Sequence, residues 1–329
     1  MRKKLIVSIL ALSLTLVSAL SFVGCAKDIS AEEFSKGVAT SYKNFYSERE
    51  DYETFKDVGF TFNTQAEMLE NVEWEYTPSG ATEAVKKTYV EKYAIKLNAS
   101  YKVKRIGEDL VISVNATKET SSEVYNTYGA DTSAPLTPTY SVEKTVDEWY
   151  FGVDNGTYFV RRNLSEQEGE QTLGEIENTK VYKEYSSKLD YEISVLNVLN
   201  RIDDRIISMT YEQFTDSSSP AELSFLLENI YLEDGKYTME VDFWLPMIED
   251  LDKSATVYNV NSIVQYSENG PEYYDYKMEG SGDNGSMKTT NLFEFSYNVL
   301  LGALTDPLNG YTLDNSINVN ECVYTPSMF

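Results

Sequence analysis

Between residues 92 and 104 the chain changes character at every step. Tyr93, Ile95, Leu97, Ala99, Tyr101 and Val103 alternate with Lys92, Lys96, Asn98, Ser100, Lys102 and Lys104. Successive side chains of a strand point to opposite faces. The pattern therefore demands a long strand with one face on a core and the other in water. Gly107-Glu108-Asp109 reads as a turn, and Leu110, Ile112, Val114 and Ala116 continue the alternation as the second arm of a hairpin. A further hairpin is set by Asp154-Asn155-Gly156 between Tyr140–Val153 and Thr157–Arg162. Asn-Gly accepts the left-handed conformations that a two-residue turn needs. The stretch from Thr120 to Thr139 is polar, contains Pro135 and Pro138, and is expected to be a long loop.

Two regions break the period of two. Ser30-Ala31-Glu32-Glu33 has the form of a capping box, and Phe34, Val38, Tyr42 and Phe45 then recur at helical spacing, which predicts a helix from about 31 to 48. Phe60 and Phe62 suggest a short strand, and 77 to 83 a loop. Tyr182, Tyr185, Leu189, Ile193, Leu196, Leu199, Ile202 and Ile206 lie three or four apart and predict a helix from about 180 to 208. After Ser217-Ser218-Ser219-Pro220, the residues Leu223, Leu226, Leu227 and Ile230 predict a second, shorter helix. The last third returns to strands. Tyr237, Met239, Val241 and Phe243 alternate, and Val257–Tyr266, Tyr273–Met278 and Thr289–Tyr297 follow, with a weak strand from Ile317 to Tyr324.

The N-terminus carries an address. Arg2, Lys3 and Lys4 precede an apolar run from Leu5 to Val23, then Gly24 and Cys25. A basic start, an apolar stretch and a small residue at the cut form a secretory signal. Phe22-Val23-Gly24-Cys25 resembles the lipobox of bacterial lipoproteins, with Phe22 where that family usually has Leu. The resemblance implies cleavage before Cys25 and diacylglycerol on its sulfur. The expected organisation is a signal peptide over 1–24, a lipidated tether over 25–29 and one α+β domain over 30–329, with any subdivision near residue 175. The expected location is the cell membrane, lipid-anchored and facing the extracytoplasmic side. The other cysteine, Cys322, has no partner once Cys25 is acylated, so no disulfide framework forms, and a small apolar core residue is the expectation for it.

Charge narrows the partners. The chain has 28 basic and 53 acidic residues and a net charge of −25, and loss of Arg2, Lys3 and Lys4 makes it three units more negative. Such a surface repels nucleic acid and anionic headgroups, so the membrane is engaged through diacylglyceryl Cys25 and not through the polypeptide. Chemistry is thinly represented. The chain has no His, which removes Ser-His-Asp systems and His-containing zinc sites. No phosphate-binding loop, EF-hand loop or dinucleotide fingerprint is present. No cofactor, metal or catalytic residue is expected. Acid pairs such as Asp203-Asp204 and Glu249-Asp250 are expected on a solvated surface.

The expected fold class is α+β: a long curved antiparallel sheet with an N-terminal helix and two helices inserted midway, half-barrel-like. This element order resembles that of LolA/LppX-type lipoprotein carriers, in which a curved sheet wraps helices around an apolar cavity. The resemblance implies a cavity lined by Tyr93, Ile95, Leu97, Tyr101 and Val103 on the sheet and by Leu196 and Leu199 on the helix. A plain packed core is the alternative. The aromatic runs Trp149-Tyr150-Phe151, Phe243-Trp244 and Tyr273-Tyr274-Asp275-Tyr276 serve either a core or a groove for sugars or lipid chains. The expected function is non-enzymatic binding of a lipid or other amphipathic ligand at the cell envelope. The alternative is a structural or interaction lipoprotein that recognises a protein or a cell-wall polymer.

Overall fold

The computed structural model describes residues 26–47, 52–77, 79–126, 137–207, 229–247, 256–282, 285–302, 304 and 306–324. The first half holds strands β1 (Lys27–Asp28), β2 (Val58–Tyr76), β3 (Val85–Ile106), β4 (Asp109–Asn126), β5 (Thr139–Asp154), β6 (Thr157–Gly169) and β7 (Glu177–Glu184). The second holds β8 (Asn229–Glu233), β9 (Lys236–Met247), β10 (Thr256–Ser267), β11 (Gly270–Gly282), β12 (Gly285–Tyr297) and β13 (Thr312–Leu313). Helix α1 spans Ala31–Ser47 and α2 spans Lys188–Ile207. All 13 strands form one curved, unclosed sheet in the order β1-β8-β9-β10-β11-β12-β2-β3-β4-β5-β6-β7-β13. Neighbours are antiparallel except β13, which runs parallel to β7. The pairing of β12 with β2 places residues from both sides of position 175 in the same sheet.

The alternating apolar rows make one face of this sheet the core face. Phe60 and Phe62 of β2 lie opposite Tyr101 and Ala99 of β3, and these lie opposite Val114 and Ala116 of β4. All six are buried. Phe60 stacks on Tyr101 with ring centres 4.4 Å apart, and Phe62 stacks on Phe293 at the same distance. Helix α1 covers the β10–β11 side with Phe34, Val38, Tyr42 and Phe45. Its N-terminus is closed as the sequence implies: the Glu33 amide donates to Ser30 Oγ at 3.1 Å. Gly37 is required where this helix meets the sheet, because a Cβ there would lie 2.4 Å from the Tyr237 ring.

Helix α2 covers the β4–β6 side. The Tyr191 hydroxyl donates to the Leu110 carbonyl at 2.6 Å, and its ring meets Tyr158 and Tyr185. The C-terminal segment fills the remaining gap through a 3-10 turn at Val319–Cys322. Tyr101 holds it: its hydroxyl donates to the Tyr324 carbonyl at 2.9 Å and accepts from the Tyr324 amide at 2.5 Å. Asp147 of β5, 1% exposed, accepts from Arg162 Nε and Nη2 at 3.0 and 2.8 Å and from the Tyr324 hydroxyl. Arg162 also reaches Glu321 at 2.6 Å and lies over the Trp149 ring.

Several elements depart from the sequence expectation. Residues 177–184 pair with β6 and are strand, not helix. Helix α2 starts later because Ser187 caps it: the Asp190 amide donates to Ser187 Oγ at 3.1 Å, and Asp190 accepts from that hydroxyl at 2.8 Å. Its buried stripe is consequently Tyr191, Val195, Val198, Leu199 and Ile202, while Leu189 and Ile193 are 63% and 50% exposed. Asp203, expected in solvent, is buried on the same face. The expected short strand at Phe60 is the 19-residue β2. Strand β4 runs on to Asn126, within the expected loop. Lys27 and Asp28, within the expected tether, pair with Leu232 and Tyr231 of β8. Ile230, assigned to the shorter helix, belongs to β8, and the rest of that helix lies outside the described residues. The weak strand from 317 to 324 is instead the 3-10 turn.

A filled core makes a direct prediction. Ala99 is fully buried between Phe62 and Ala116. Ala99→Trp is expected to cost about 1–3 kcal/mol through overpacking, seen as a lower urea midpoint at unchanged slope. An unchanged midpoint would reveal open space beneath β3.

Candidate functional site

The residues expected to line an internal cavity divide by position along the strand. Tyr101 and Val103 are buried at 1% and 0% in the packed core, and Leu199 joins them from α2 at 1%. Ile95 and Leu97 are buried on the same face, and Leu196 packs against the cluster half-buried. Leu97, Tyr101, Val103 and Leu199 thus belong to one buried cluster, and Leu97 also borders a second opening of about 460 Å³ with Asn63, Lys96 and Thr117. The side chains of Phe243 and Trp244 lie outside the described residues. Trp149, Phe151 and Tyr274 are core residues. Tyr150, on the other face, is covered by the Arg161 guanidinium, which also lies over Tyr311.

Open space occurs elsewhere. A groove of about 890 Å³ crosses the sheet from β11 to the turn after β6. Its residues fall into rows fixed by the register. Glu67, Ala94, Ser121 and Val142 are cross-strand partners on β2 to β5, and Leu69, Lys92, Glu123 and Tyr140 form the next row but one. Phe60, Phe62 and Ala66 mark the core face of β2, so by alternation Glu67 and Leu69 face away from the core. Tyr93, expected in an internal cavity, stands on β3 between Lys92 and Ala94, and with Met68, Ser122 and Met287 it forms the row between these two, which also borders the groove. At one side Glu279, Lys288, Ser281 and Ser286 continue the rows onto β11 and β12, and at the other Glu170 and Gln171 close it.

The groove is ionic with an apolar floor. Lys92 Nζ donates to Glu123 at 2.9 Å, which raises the Lys92 pKa, and Lys288 lies 4.0 Å from Glu279. Burial and then Glu123 raise the pKa of Tyr140, so its hydroxyl stays neutral in the physiological range. The volume lies within the range of ligand-binding clefts. Among the described residues no group of three or more His, Cys, Asp or Glu is placed to hold a metal ion. Cys322 is fully buried, donates to the Val319 carbonyl at 2.8 Å, and has its pKa pushed up by burial, as an inert core thiol does. The other acid pair, Glu249-Asp250, and Cys25 lie outside the described residues.

The groove sits far from the N-terminal strand. Following the register from Lys27 through Leu232, Tyr237, Tyr266 and Pro271 leads to the start of β2 near Gly59. Glu67 and Leu69 lie eight to ten residues further along that strand, about 30 Å at roughly 3.3 Å per residue. The groove and β1 therefore lie well apart, and β2 and β3 run on beyond the groove to Tyr76 and Val85.

No family model and no curated protein matches the chain. Among solved structures, the translocator domain of autotransporter NalP from Neisseria meningitidis aligns over 82% of this chain and 98% of that one, at 7% identity and a TM-score of 0.23. Nothing about that domain is carried over to this chain. Among the described residues no helix is long and apolar enough to cross a membrane, a statement that does not bear on strands.

Proposed function

We propose that this protein is a lipid-anchored, extracytoplasmic interaction module, non-enzymatic, that displays a binding groove on the outer face of its sheet, away from β1. The signal segment and the lipobox-like Phe22-Val23-Gly24-Cys25 support the anchor. The observation that carries the binding reading is the contrast between the burial of Tyr101, Val103 and Leu199 in the core cluster and the open outer groove. An acyl chain beneath the sheet would need the volume that Tyr101, Val103 and Leu199 occupy, and this favours the interaction lipoprotein over the internal lipid carrier. With Cys25 in a bilayer, β1 begins two residues later and the groove stands about 30 Å away along the strands, facing partners beyond the membrane.

Two measurements test this. Metabolic labelling with a fatty acid is expected to mark the protein and to fail in Cys25→Ala, and label persisting in that variant would remove the anchor. Native mass spectrometry of protein from its own host is expected to show the lipidated chain without a stoichiometric internal lipid. A retained lipid at one per chain would restore the carrier.

A further inference from the structure

We infer that the groove receives a basic, extended polypeptide segment, an inference that rests on the groove being the binding site. The described lining carries four carboxylates, Glu67, Glu123, Glu170 and Glu279, against two ammonium groups, Lys92 and Lys288. Both cations are already engaged, Lys92 by Glu123 and Lys288 by Glu279. Lys288 stands directly across from Glu67 as well as from Glu279, so the lining as a whole keeps two negative charges in excess, at the Glu67 end and at Glu170. Glu67 and Glu170 are both exposed, and neither has an ion-pair partner among the described residues. A partly enclosed cleft of one sign concentrates counter-charges, and the chain's net charge of −25 steers them from further out.

Shape narrows the ligand from any cation to a chain. Glu67 sits on β2, and its row passes through Ala94, Ser121 and Val142 to Gly169, next to Glu170. Four strand spacings of about 4.8 Å separate the two ends, about 19 Å along the sheet. An extended polypeptide rising about 3.4 Å per residue covers this in about six residues. Small side chains between the two carboxylates let a backbone lie close, and Tyr140 offers an aromatic face to a cationic side chain. An anionic lipid headgroup meets like charge here, and a neutral chain gains nothing from the two carboxylates.

The test uses the lipidated protein in zwitterionic phosphatidylcholine vesicles and a fluorescent hexapeptide with lysine at both ends, alongside its glutamine and glutamate counterparts. Anisotropy is expected to show binding of the lysine peptide alone, weakening with added salt. Glu67→Gln with Glu170→Gln is expected to weaken it at least about tenfold, whereas Glu177→Gln with Glu184→Gln, the same charge change outside the groove, leaves it unaltered. Equal loss in both double variants would reduce the effect to net charge and overturn the inference. So would equal binding of the glutamine peptide, or no binding of the lysine peptide. If the lysine peptide fails while crosslinking from the groove in cells succeeds, the basic ligand is wrong and the groove stands. If both fail, the proposed site falls too.

Discussion

Arg162→Met is expected to lower the stability of the fold by about 3–5 kcal/mol, because it strands a buried carboxylate. Asp147 is 1% exposed, and its charge is met by the Arg162 fork and by the Tyr324 hydroxyl. Methionine keeps much of the volume and the contact with Trp149 but removes both the charge and the donors. Tyr324 is tied to the same carboxylate, so the C-terminal segment loosens together with the pair. Urea unfolding followed by circular dichroism gives the loss. Removing both partners as Asp147→Leu with Arg162→Met should recover much of it, since the cost of a lone buried charge exceeds the net worth of the pair. A single variant as stable as the parent would mean that Asp147 reaches water.

Phe34→Ala has a comparable expected cost, about 3–5 kcal/mol, through lost burial and the cavity left behind. Phe34 is 6% exposed and meets the Tyr266 ring edge-on at 6.3 Å, with Tyr42 beside the same ring. Helix α1 follows β1 after two residues, so its docking sets how closely the folded body follows the anchor. An unchanged denaturant midpoint would show that this segment hangs loosely instead.

The parts of the fold that were legible in the sequence are those set by neighbours in the chain. Asn155 and Gly156 take φ of 49° and 81°, the two left-handed positions of the hairpin turn that Asn-Gly announces. Ser30 caps α1 as its spacing with Glu33 implies. Elements decided by distant partners are less legible. Tyr182 and Tyr185 fit the helical period of the residues that follow, but β6 recruits 177–184 as a strand, and the overlooked signal was Ser187-Lys188-Leu189-Asp190, a second capping box. The pairing of β2 with β12, including the buried Thr64–Asn291 hydrogen bond at 2.8 Å, joins residues 227 apart and leaves no local trace.

The groove was hidden for the same reason. Lys92 reads locally as one more solvated lysine, and only the registers of β3 with β4 and of β4 with β5 place it in line with Glu123 and Tyr140. Alternation along β3 shows which side is apolar and not what lies against it, so a cavity and a packed core are equally compatible with it. At Tyr101 the C-terminal segment lies against that side.

The most direct measurement of the account is site-specific photocrosslinking in the host cell, with a photoreactive side chain at Ser121 in the groove or at Lys102, exposed on the same face at the other end of β3. A defined adduct from Ser121 and none from Lys102 is the predicted result. Adducts from Lys102 alone, or none from Ser121, would contradict a binding groove at Ser121.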